Sequence, residues 1–159
     1  MIKATVTVFL IAFFGVQQQY NIKRIYLFSK TQYSGNVHRN ADGSTAKGYS
    51  KTLMCFIEVD KDKSSPAWHT ACFEGYKYTV NAVPLNQDSV LVGSKINTHN
   101  TIVIKPVVGG QLVQLELTTP EKLSHPETKG FLLEGSLNNE KVYYRTEEPV
   151  INLAPALMQ

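Results

Sequence analysis

The sequence predicts a single all-β domain, an antiparallel sandwich or barrel of about seven to nine strands, on three observations. No long window past residue 20 places apolar residues at helical spacing, whereas short runs of alternation recur between turn signals. The chain has 159 residues, 43% of them hydrophobic, which is enough for one buried core without a metal or a dense disulfide net. Seven Pro and ten Gly are too few for a low-complexity chain, and no internal repeat or linker marks a second domain. Residues 19–159 are therefore read as one domain.

Residues 1–18 carry a positive start, Met1-Ile2-Lys3, then an apolar run from Ala4 to Val16 broken only by threonines. That pattern fits a secretory signal peptide and is shorter than the roughly 20 residues of a relaxed membrane span. The competing reading is an amino-terminal apolar strand, because the run from Ala4 to Phe9 is rich in β-branched residues, Thr5 to Val8. Export implies a periplasmic or secreted protein with no stable membrane span after processing.

Ile22 to Ser29 is rich in strand formers and gives the first strand. The polar stretch from Lys30 to Ser50 follows, with turn signals at Ser34-Gly35-Asn36 and Asp42-Gly43-Ser44, and reads as a long functional loop. Next comes the apolar run Leu53 to Val59. If Lys61 to Pro66 closes a hairpin, Asp60 faces Ala67 and Cys55 falls opposite Cys72, the only two cysteines. In an exported chain such a pair suggests one disulfide, contributing about 3 kcal/mol in the chain-entropy model. Gln87 to Ile96 supplies another strand. Gly109-Gly110 centres an expected hairpin over 101–118 that sets Ile102, Ile104 and Pro106 opposite Leu117, Leu115 and Val113. Pro106 lacks an N–H, so that hairpin needs an exposed or bulged edge. Asn138-Asn139 centres a second hairpin over 130–146, with Phe131, Leu133 and Gly135 opposite Thr146, Tyr144 and Val142. Pro120 to Lys129 connects the two, and Val150 to Leu153 adds a last strand.

Chemistry is sparse. No phosphate-cradling loop, nucleophile elbow, His-Glu-x-x-His or paired Cys-x-x-Cys is present, and His38, His69, His99 and His125 form no close-spaced ligand pair. Asp60 to Ser65 has alternating oxygen side chains but lacks the turn glycine and terminal Glu of a calcium loop. No metal and no cofactor are expected. Glu58 and Glu74 read as outward charges.

Charge is uneven: residues 20–63 carry eight basic and four acidic side chains, residues 64–159 seven and nine. Lys30, Arg39, Lys47 and Lys51 make a modest basic surface around the long loop. It suits an acidic protein partner and is too sparse for nucleic acid. Trp68 reads either as an exposed interface anchor or as a cap on the core. The functional expectation is an exported, non-catalytic protein-recognition domain. It would serve as an inhibitor or immunity protein against a toxin, or as an accessory subunit of a secretion or adhesion system. A carbohydrate or small-ligand binder, and an envelope hydrolase with a dispersed site, are the alternatives. Exposed strand edges at Ile22 to Phe28 and around Pro106 are open to a strand from another chain, including a second copy.

Overall fold

The computed structural model describes residues 20–33, 41–42, 49–96, 98, 100–124 and 129–156. Residues 1–18 and the question of their removal lie outside the described residues, as do Arg39, Lys47, His38, His99 and His125. Every regular element described is a strand. They run β1 (Ile22–Tyr33), β2 (Tyr49–Asp60), β3 (Ala67–Phe73), β4 (Tyr76–Pro84), β5 (Val90–Ser94), β6 (Thr101–Ile104), β7 (Gly110–Lys122), β8 (Phe131–Leu137), β9 (Glu140–Thr146) and β10 (Ile151–Ala156). The all-β class is as expected from the alternation.

Eight strands form one curled sheet, a half-barrel in the order β10-β1-β2-β7-β4-β3-β8-β9. It is mixed, because β10 runs parallel to β1 while the other pairs are antiparallel. β5 and β6 form a separate two-stranded sheet. The period of two assigns the faces. Ile25, Leu27, Cys55, Ile57, Val113, Leu115, Phe131 and Leu133 point into the concave side, where Trp68 joins them. Phe28, Phe56 and Leu112 point the other way and pack against Val92 and Ile104 of the small sheet and Leu153 of β10. The continuous apolar run of β2 is thus buried on both faces.

The β8–β9 hairpin has the register its sequence predicts, Phe131 with Thr146, Leu133 with Tyr144 and Gly135 with Val142. Asn138 and Asn139 both hold positive φ, 52° and 64°, the twist that a two-residue hairpin requires.

Three expectations are corrected. The chain does turn at Gly109, φ 78°, with Gly110 N–H donating to the Val107 carbonyl. No 101–118 hairpin forms around it, however: β6 pairs with β5, and β7 pairs with β2 and β4. The ladder ends at Ile104, just before Pro106, and Lys105 to Gly109 carries the chain from the small sheet to the large one. The expected loop over Lys30 to Ser50 is also cut back at both ends, because β1 and β2 pair as far as Tyr33 and Tyr49.

The third correction is the disulfide. Cys55 and Cys72 are free and buried. β7 and β4 lie between β2 and β3, so three strand spacings of about 4.8 Å separate the cysteines, well past the roughly 7 Å limit for a bridge. Cys55 faces the interior, and alternation from the inward Ala71 sets Cys72 on the opposite face. Burial pushes both thiols up from their ordinary range, most strongly at Cys55. Alkylation of the unreduced, unfolded protein is expected to label both cysteines, while Cys55 in the native protein resists the reagent. A species that labels only after reduction would contradict this topology.

Candidate functional site

Among the described residues the half-barrel has one open seam. β10 covers β1 from Phe28 to Gln32, and no other described strand pairs with the Ile22 to Leu27 edge of β1 on that side. At the other end of the sheet β9 pairs, among the described strands, with β8 alone. Curling brings these two edges to one cleft of about 440 Å³, lined by Arg24, Ile25, Tyr26 and Leu27 of β1, Tyr144 and Thr146 of β9, and the link through Glu148, Pro149 and Ile151.

The chemistry of the seam follows from alternation. On the concave side lie Ile25, Leu27, Val142 and Tyr144, all packed in the interior cluster. Burial first, then Glu148 and the Cys55 thiol, push the Tyr144 phenol up, so near neutral pH it stays an uncharged hydroxyl. On the convex side the flanking residues are Arg24 and Tyr26 on β1 and Lys141, Tyr143 and Arg145 on β9. Leu137 and Glu140 close a two-residue hairpin and so form a hydrogen-bonded pair. It follows that Glu140, Val142, Tyr144 and Thr146 direct their backbone groups to β8, and Lys141, Tyr143 and Arg145 direct theirs to the seam. The charged residues on both edges are the usual guard against indiscriminate pairing.

The remaining sequence-predicted residues fall elsewhere. Lys30 and Lys51 sit on the β1–β2 arm, whose end carries the exposed Tyr33–Tyr49 pair with ring centroids 6.5 Å apart. Lys51 Nζ lies 3.6 Å from the Glu74 carboxylate, both well exposed, a contact worth little in water. Trp68 is 5% exposed inside the half-barrel, so it is the core-capping reading that holds and not the interface anchor. Asp60 to Ser65 is held by protein groups. The Asn21 amide donates to the Asp60 and Lys63 carbonyls and to Ser65 Oγ, and Lys23 and Lys63 flank the Asp60 carboxylate. No cluster of three His, Cys, Asp or Glu side chains able to hold a metal occurs among the described residues.

Glu58 is not the outward charge expected from sequence. It is completely buried beneath the β6–β7 link, accepting the Val107 N–H at 2.9 Å and the Tyr26 hydroxyl at 3.3 Å. Glu74 is exposed, at the β3–β4 turn with φ 47°. Sequence reasoning named the Ile22 to Phe28 edge as open, and missed that β9 faces it across the seam. The alternation of Lys141, Tyr143 and Arg145 was the available signal.

No helix among the described residues is long and apolar enough to cross a membrane. No family model matches the chain, and neither the curated proteins nor the solved structures contain a significant match to it.

Proposed function

We propose that this protein is an exported, non-catalytic recognition domain that takes up an extended strand of its partner at the β1–β9 seam. The carrying observation is the pair of edges lining one cleft, Ile22 to Leu27 with no strand partner on that side among the described residues, and β9 across from it. An added strand would satisfy backbone donors and acceptors on both flanks while its inward side chains complete the core, the mode known as β-augmentation. Its inward positions meet Ile25, Leu27 and Tyr144 and call for apolar residues. Its outward positions lie between Arg24 on one side and Lys141 on the other, while the Arg145 guanidinium is engaged with the Lys129 carbonyl, and call for carboxylates beside the two cations. The occupant is therefore a partner segment alternating apolar and acidic residues. This reading favours an accessory or assembly subunit over an inhibitor that plugs an active site. Lys30, Lys51, Arg39 and Lys47 would then steer the acidic partner during encounter and not form the central contact.

The test uses soluble eight-residue peptides alternating leucine with glutamate, serine or lysine. The glutamate series is expected to bind best, and N-methylation of two alternate backbone amides on the edge that pairs to lower its affinity by about tenfold or more. Equal binding of the lysine series, or indifference to N-methylation, would overturn the proposal. Dimerisation of the chain with no peptide binding would do so too, because a second copy would then occupy the edge. Tight peptide binding only after removal of residues 1–18 supports it, and agrees with their loss on export.

A further inference from the structure

A second polar cluster lies on the convex face of β3, β8 and β9, away from the interior. The ladder slips between Trp68 and Thr70, so that two consecutive side chains, His69 and Thr70, meet the outward residues of β8. The His69 imidazole hydrogen-bonds Ser136 Oγ at 2.9 Å, and the Thr70 hydroxyl donates to the Glu134 carboxylate at 3.0 Å. Register then carries both rows onto β9: Glu134 stands opposite Tyr143, and Ser136 opposite Lys141. These six side chains line a shallow cleft of about 270 Å³.

We infer that this cleft binds a neutral sugar ring, such as one pyranose unit of a glycan. The volume falls just below the roughly 300 Å³ at which pockets for drug-sized ligands begin, and suits a single ring. Tyr143 is 53% exposed and offers an aromatic face for the apolar C–H side of a sugar. Around it, one carboxylate, two hydroxyls, an imidazole and an ammonium supply both acceptors and donors, which is what a ring edged with hydroxyls needs. The Glu134 carboxylate and the Lys141 ammonium balance, so the cluster has no net preference for an anion or a cation. The Thr70–Glu134 and His69–Ser136 bonds hold the polar atoms in place before the ligand arrives, which lowers the ordering cost of binding.

Titrating methyl glycosides of neutral hexoses against the whole protein, followed by ligand-observed NMR, tests this. At least one is expected to bind saturably in the millimolar range, about 4 kcal/mol. Tyr143→Ala and Glu134→Gln should each weaken it about tenfold, and Tyr143→Phe should stay within about threefold because the ring and not the hydroxyl stacks. Thermal melts that stay unchanged would separate lost binding from lost folding. Absence of saturable binding to any neutral hexose, or full binding by Tyr143→Ala, would overturn the inference. So would ester hydrolysis that depends on both Ser136 and His69, since the pair would then be a nucleophile and its base. Peptide uptake at the seam is measured separately and is expected to survive Glu134→Gln, a change at a residue that does not line the seam, so that variant tells the two failures apart even though Lys141 and Tyr143 border both sites.

Discussion

Trp68→Ala is expected to lower unfolding stability by about 3–5 kcal/mol, the usual cost of truncating a large buried aromatic. Trp68 is 5% exposed within the concave cluster, and the chain opposite is shaped around it. Gly135 pairs with Trp68 across β3 and β8, and a Cβ there would stand 2.9 Å from the indole Cε3 and also run into the Ala67 carbonyl. Glycine is therefore required by close approach. The indole Nε1 is buried and has no hydrogen-bond partner among the described residues, which carries a cost of its own. Trp68→Phe removes that donor along with one ring, so its loss should be much smaller than that of Trp68→Ala, about 1 kcal/mol. Denaturant titration of the two variants measures both. No loss for Ala would mean that Trp68 contributes no core packing, and equal losses for Phe and Ala would mean that a phenyl ring does not fill the site.

The second large effect is expected at Glu58. Its carboxylate holds the Val107 N–H and the Tyr26 hydroxyl in a fully buried site, and Gly110 passes so close that an added Cβ would lie 2.8 Å from Glu58 Oε1. Glu58→Ala leaves the part-buried Val107 N–H without its acceptor and a void where the fully buried side chain stood, and should lower stability by about 2–4 kcal/mol. Glu58→Gln keeps an oxygen for Val107 and an amide that the Tyr26 hydroxyl can accept from, so most of the stability should return. Because the link from β6 to β7 is what Glu58 anchors, Glu58→Ala should also loosen the small sheet over Phe28, Phe56 and Leu112. Hydrogen exchange at β5 and β6 would register this as faster exchange than in the rest of the molecule. Full stability in Glu58→Ala would mean that the link is held by something else.

Local features were legible in the sequence, and non-local ones were not. The β8–β9 register could be read because two asparagines able to take positive φ fix both the turn and the partner at once. Gly109 likewise marks a reversal, but a reversal does not say which strands pair. Here Pro106 stops the ladder and Glu58, from a distant strand, captures Val107. The same gap explains the cysteines. Counting back from Lys61 to Pro66 gave a self-consistent register, yet the link crosses two strands that arrive later in the chain, β4 and β7. Glu58 was misread because alternation assigns its face correctly and does not reveal that the face is covered. The apolar residues on both sides of β2, Met54 and Phe56 as well as Cys55 and Ile57, were the sign of a strand buried twice. As for the seam, Ile22 to Phe28 is legible as a run of strand formers, and β10 covers Phe28 but not Ile22 to Leu27. The closing partner was not legible, because only curvature brings β9 to it.

Hydrogen exchange of the whole protein, with and without a saturating alternating leucine–glutamate peptide, reads out whether the β1–β9 seam receives a strand. Uptake at the seam should slow exchange at Lys141, Tyr143 and Arg145, whose amides face it, and along Ile22 to Leu27, leaving the β1–β2 arm unchanged. Protection confined to the arm around Tyr33 and Tyr49, with the seam exchanging as in the free protein, would mean that the strand docks elsewhere.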